Sequence, residues 1–141
     1  MTGVDHIGIA VKSIADALPF WRDALGMELI GIEVVESDKV RVAILRSSGP
    51  GGARVELLEP TGPDSPVARH LEKRGPGIHH IALAVDDIEA TMAALKRAGR
   101  PAIDEEPRPG VAGTKVTFLH PRLAGGVLIE LAQPPAGVRR S

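Results

Sequence analysis

Four side chains in this sequence have the type and spacing to hold a divalent cation. His6 is followed fifty residues later by Glu56, and His80 is followed fifty residues later by Glu130. One offset of 74 positions relates the two pairs, so whatever residues 6 and 56 do in one half, 80 and 130 do in the other. Two imidazoles and two carboxylates make a four-ligand set suited to such an ion. Each glutamate sits in an apolar, strand-like run, Val55-Glu56-Leu57 and Ile129-Glu130-Leu131. A carboxylate there is costly to bury unless its charge is compensated, which a cation does directly. Strand alternation could instead turn either glutamate to solvent. That reading requires the same exposed face to recur in both halves at the same spacing, and a lone histidine in a strand is more often structural than ligating.

The elements that must position these groups are themselves repeated. Val4-Asp-His-Ile-Gly-Ile-Ala-Val11 reappears as Gly77-Ile-His-His-Ile-Ala-Leu-Ala-Val85. As a strand, the first copy places His6, Gly8 and Ala10 on one face and Ile7, Ile9 and Val11 on the other. The first face leaves room for a ligand; the second suits packing against a helix. Ser13 as N-cap with Asp16 three residues on, then Ile14, Leu18, Trp21 and Leu25 at helical spacing, predicts an amphipathic helix that Gly26 ends. Residues 27–35 and 39–45 read as strands joined by a turn at Glu36-Ser-Asp38. A flexible loop spans 47–52, and a strand at 54–58 carries Glu56. Residues 61–76 form a linker with one brief helix: Ser65 caps it, Pro66 stands at its first position, and Val67 and Leu71 form its seam. The second half repeats the order: a strand at 78–85, a helix capped by Asp86 or Asp87 with Ile88, Met92 and Leu95 on one face, and a stop at Gly99. Strands follow near 101–105, 114–119 and 126–132, with a loop over 107–113. Each half is therefore βαβββ, and residues 1–134 form one domain of two modules, 1–60 and 77–134. Residues 135–141 are expected to be a flexible tail.

Composition narrows the function. At 141 residues neither half alone buries a sufficient core, so the halves must share burial. The net charge of −1, with acids and bases interspersed, gives no basic footprint for nucleic acid. There is no cysteine for a disulfide or a thiolate site. No leader pattern and no membrane-length apolar run is evident, so a soluble cytoplasmic protein acting on a small molecule is expected. With one Trp, two Phe and no Tyr, a site built on stacked rings is disfavoured. Of the other histidines, His79 aligns with Asp5 and points away from the cavity, His70 is solvent-facing on the linker helix, and His120 belongs to a strand-end turn.

These residues resemble the vicinal oxygen chelate superfamily (glyoxalase, bleomycin resistance and dioxygenase proteins), and within it the methylmalonyl-CoA epimerases. The similar stretches are Asp5-His-Ile-Gly-Ile-Ala10, Val55-Glu-Leu-Leu-Glu-Pro60, Asp64-Ser-Pro-Val-Ala68, Gly77-Ile-His-His-Ile-Ala82, and Phe118-Leu-His-Pro121 running to Gly125-Gly-Val-Leu-Ile-Glu-Leu131. The resemblance implies an α+β fold in which tandem βαβββ modules form a cupped, mostly antiparallel sheet with helices on its outer face. It implies that His6, Glu56, His80 and Glu130 ligate a divalent ion, cobalt first, with zinc, manganese or nickel as alternatives. It further implies an isomerase that inverts C2 of methylmalonyl-CoA through an enolate, with Glu130 and Glu56 as catalytic carboxylates, in a homodimer that binds an acyl-CoA. Where some relatives have a second glutamate, this sequence has Val42, which leaves Glu36, Asp38 or a shifted Glu56 to move the other proton. In some relatives the Glu56 position is glutamine, so this chain carries one more negative charge there. Lys39, Arg41, Arg46 and Lys115 are candidates to meet the CoA phosphates. A glyoxalase I is the nearest rival reading. It would use the same ligands, but its usual Asp-Pro-Asp-Gly-like turn is replaced by His120-Pro-Arg-Leu-Ala-Gly-Gly126. An antibiotic-binding protein without turnover is further away, since such binders commonly lack the ligands and line their cleft with aromatics.

Overall fold

The computed structural model of the chain describes residues 3–47, 49 and 51–136. The chain divides into two compact units, one spanning His6–His79 and the other running from His80 onward together with the residues before His6. In the first half of the sequence, β1 (Gly3–Ala10), β2 (Glu28–Val35), β3 (Val40–Arg46) and β4 (Arg54–Pro60) lie in the order β2-β3-β4-β1. β1 and β4 run parallel, whereas β2/β3 and β3/β4 are antiparallel. The parallel pair needs a crossover between its strands, and α1 (Ile14–Leu18) begins it. Ser13 Oγ accepts from the Asp16 N–H at 3.2 Å, as the capping pattern predicts.

The helix expected to run unbroken to Leu25 does not. From Pro19 to Ala24 the chain widens into a π-helical turn, with the Leu25 N–H bonded to Phe20 O at 2.9 Å. Pro19 has no amide to donate, so the regular ladder is interrupted where it enters and the chain reseats one residue out of step. In consequence Leu25 faces outward, 54% exposed, and the stripe ends with Trp21. Ile14, Leu18 and Trp21 pack on Ala43, Leu45, Val55 and Leu57. Those are the odd-numbered residues of β3 and β4, and the packing leaves the even-numbered ones for the opposite face.

The second half of the sequence repeats the plan with β5 (Gly77–Ala84), β6 (Arg108–Pro109), β7 (Lys115–Leu119) and β8 (Ile129–Gln133), ordered β5-β8-β7-β6, with β5 and β8 parallel. α3 (Ile88–Arg97) is capped by Asp87, whose Oδ1 accepts from the Ala90 N–H at 3.0 Å, and packs Ile88 and Met92 on Leu131. The strand expected at 101–105 is absent. Ile103 N–H bonds to Phe118 O, but the Asp104 carboxylate turns to the Arg108 side chain, and the ladder resumes only over Arg108–Pro109. Pro101, Pro107 and Pro109 each lack the donor a ladder needs. β8 starts at Ile129 and not at 126, because Gly125 and Gly126 hold φ of 68° and 112° in the turn before it.

α2 (Pro66–Arg74) forms on the linker as expected, with Ser65 Oγ accepting from the Val67 N–H at 3.1 Å and Val67 buried. The architecture is thus α+β, βαβββ twice, with two of three strand pairs antiparallel in each half. Among the described residues no helix is long and apolar enough to cross a membrane. Of the expected tail, residues 137–141 lie outside the described residues, as do Ser48 and Pro50 of the expected loop.

Candidate metal centre

In the first half, strand register builds the site one layer at a time. Glu56 on β4 stands opposite Gly8 of β1 on one side and Ile44 of β3 on the other. Its carboxylate therefore rises between a position without a side chain and a branched apolar one. His6, two residues before Gly8 on the same face, brings Nδ1 to 3.4 Å from Glu56 Oε2. Both residues are only 3% exposed. Arg54, the register partner of His6, places a guanidinium nitrogen 3.7 Å from the same Oε2. A cation at that distance offsets part of the charge on a buried carboxylate.

The second half has the same layer with different neighbours. Glu130 stands between Ala82 of β5 and Phe118 of β7, and His80 Nε2 lies 3.1 Å from Glu130 Oε1. Phe118 meets the His80 ring edge-on at 5.7 Å between centroids, and Arg108 lies over the Phe118 ring at 5.6 Å. The position equivalent to Arg54 is Leu128.

The structure brings together, within each half, the histidine and glutamate that the sequence paired. The solvated-face reading fails, since Glu56 and Glu130 are 3% and 7% exposed. A buried imidazole beside a buried carboxylate, present twice, has the donor chemistry of a divalent cation site. Each half thus offers an imidazole and a carboxylate, His6 with Glu56 and His80 with Glu130, whose donor chemistry fits such an ion.

One pair of anchoring residues escaped the sequence reading. The Ile14 N–H donates to Glu59 Oε1 at 2.8 Å, and the Ile88 N–H donates to Gln133 Oε1 at 2.8 Å. Beside them the Val11 N–H bonds to Leu58 O and the Val85 N–H to Ala132 O. In each half the strand bearing the histidine is thereby tied, just before its helix, to the strand bearing the glutamate. The signal was available: the offset of 74 carries 59 onto 133, but it was followed only through His and Glu.

The bases proposed for phosphate contacts are all engaged with carboxylates: Lys39 with Asp64, Arg41 with Glu59 at 2.6 Å, Arg46 with Glu28 at 3.1 Å and Lys115 with Glu89 at 3.1 Å. Glu36 and Asp38 sit in a single 3-10 turn beyond the end of β2, outside the register of the site face. His120 caps the turn that follows it, its Nδ1 accepting from the Arg122 N–H. His70 is half-buried against the ring of His79, 5.0 Å between centroids, and not solvent-facing as expected. Burial, then the Arg74 charge, push its pKa below the ordinary 6.5.

Residues 5–118 match the Glyoxalase/Bleomycin resistance protein/Dioxygenase superfamily. An uncharacterized protein of Bacillus subtilis is 43% identical over 134 residues, 95% of this chain and 94% of that one. The ethylmalonyl-CoA/methylmalonyl-CoA epimerase of Cereibacter sphaeroides is 39% identical over 132 residues, 92% of this chain and 96% of its own. The structure of a Streptomyces coelicolor methylmalonyl-CoA epimerase variant in complex with 2-nitronate-propionyl-CoA superposes with a TM-score of 0.89 at 40% identity, covering 96% of this chain and 99% of that one. The chain belongs to the Glyoxalase/Bleomycin resistance protein/Dioxygenase superfamily, with methylmalonyl-CoA epimerases among its relatives.

Proposed function

We propose that the protein is a metal-dependent methylmalonyl-CoA epimerase, an isomerase that inverts the carbon between the thioester and the free carboxylate. The observation that carries this reading is the buried His–Glu pair recurring at the same register in both halves. The epimerase relatives at 39–40% identity, one of them in complex with an acyl-CoA analogue, support the substrate class. In this reading His6, Glu56, His80 and Glu130 together hold one divalent ion, with cobalt as the first candidate. When bound, the ion supplies Lewis acidity toward the substrate's oxygens, worth several kcal/mol.

The chain's own residues do the rest. Glu130 exchanges a proton with C2 of the substrate. Glu56 balances charge in the site, and Arg54 moderates the extra charge that Glu56 brings. Phe118 braces His80 edge-on, and the Glu59 and Gln133 ties keep each ligand strand in register with its partner. A positioned acid–base group contributes roughly a hundred- to ten-thousandfold in rate.

The test is proton exchange. Loaded with cobalt and given one epimer of methylmalonyl-CoA in D2O, the protein should incorporate deuterium at C2 and equilibrate the epimers. Turnover of the glutathione hemithioacetal of methylglyoxal without any such exchange would move the assignment to glyoxalase I. We further expect a cytoplasmic homodimer, which a sedimentation mass of one chain would contradict.

A further inference from the structure

Inversion at carbon needs a proton taken from one face and another delivered to the opposite face. Of the two carboxylates beside the ion, only Glu130 is given proton transfer above, and it serves only one of these. The register of the first half shows what stands next to the ligand layer on the same face. Ala10 of β1, Leu58 of β4, Val42 of β3 and Glu33 of β2 form one continuous row across four strands. The first three are buried and apolar. Glu33 is exposed at the end of the row, directly opposite Val42. Facing residues of an antiparallel pair have Cβ atoms about 4.5–5.5 Å apart, close enough for a glutamate to lean over a valine. Of the side chains that register places in this row and the ligand layer, His6 and Glu56 belong to the ion, and Glu33 is the remaining proton carrier. The corresponding row of the second half, Ala84, Ala132, Val116 and Arg108, ends on a guanidinium that keeps its proton.

We propose that Glu33 is the second proton-transfer group of the epimerase. This rests on the function proposed above. The Glu33 carboxylate takes the C2 proton, and the C–H electron pair passes into the enolate. Protonated Glu130 then delivers its proton to the other face of C2 and becomes the carboxylate. The other epimer runs the same path backwards, from protonated Glu33 and ionised Glu130, so each protonation state acts on one epimer.

The experiment compares wild type and Glu33→Gln, both cobalt-loaded, on each epimer separately in D2O, reading C2 deuteration and inversion independently. The expected result is inversion slowed by a hundredfold or more in kcat, with KM within about twofold. One epimer should still exchange its proton without inverting, bound cobalt and melting temperature should be unchanged, and Glu33→Asp should recover part of the rate. Inversion within threefold of wild type overturns the assignment. Equal loss of exchange from both epimers, or loss of bound cobalt, marks a structural role and also overturns it. Wild-type protein inert toward both epimers removes the epimerase reading itself, a failure distinct from a silent Glu33 variant of an active enzyme.

Discussion

The two halves bury the same carboxylate in different company. Glu56 has Gly8, Ile44 and a guanidinium for neighbours, whereas Glu130 has Ala82, Phe118 and no arginine at the equivalent position. A repeat that keeps the imidazole and the carboxylate while changing what surrounds them can separate two tasks. In the proposed function one carboxylate is kept charge-balanced, and the other is left available for proton transfer. The structural counterparts Glu33 and Arg108 extend the contrast to the edge strands.

That contrast breaks first at the glutamates. Glu130→Gln should lose about a hundred- to ten-thousandfold in turnover, whereas Glu56→Gln, which keeps an oxygen donor, should lose far less. Equal losses in steady-state assays would show that the halves share the chemistry evenly. The histidines should behave alike: His6→Ala and His80→Ala should each lower bound metal, read by elemental analysis. Unchanged stoichiometry in either removes that residue from the ligand set.

Arg54→Leu gives the first half the neighbour found in the second. With a buried carboxylate losing a partner at 3.7 Å, metal-free protein should lose about 1–3 kcal/mol in urea unfolding. Adding Glu56→Gln should recover most of that loss, a coupling that additivity would contradict. Smaller still are the strand-to-helix ties. Gln133→Ala should cost about 1 kcal/mol, and Glu59→Gln should be close to neutral, because the amide in the other half already performs the same bond. The smallest effect is a pH dependence confined to the first half. The folded pKa of His70 is depressed, so the unfolded chain binds the proton more tightly. Its contribution is complete above the ordinary 6.5 and fades as pH falls below it. Urea midpoints at pH 7.5 and 5.5 should converge in His70→Asn relative to wild type.

Much of this was legible because a duplicated pattern checks itself. His6 and His80, like Glu56 and Glu130, are each unremarkable alone, and the shared offset made them a set. The strands carrying them are rich in branched residues and bounded by turns, and they formed close to where they were expected. What escaped reading depended on absent amides and on single long-range bonds. Pro19 diverts a helix whose apolar spacing looks unbroken, and prolines at 101, 107 and 109, in and after the strand expected at 101–105, leave only the two-residue β6. The Ile14–Glu59 and Ile88–Gln133 bonds each span 45 residues and leave no local trace. Val42 reads as a gap in the chemistry until its cross-strand partner is known.

Those prolines have a consequence of their own. A strand at the rim of a sheet is an invitation for another chain to add itself, hydrogen bond by hydrogen bond. With β6 reduced to Arg108 and Pro109 and a further proline just before it, that rim of the second half offers almost no template for such recruitment, while the eight residues of β2 leave a long rim in the first half. Any fibril this protein seeds should therefore grow from the β2 side, and a proline introduced there should slow it.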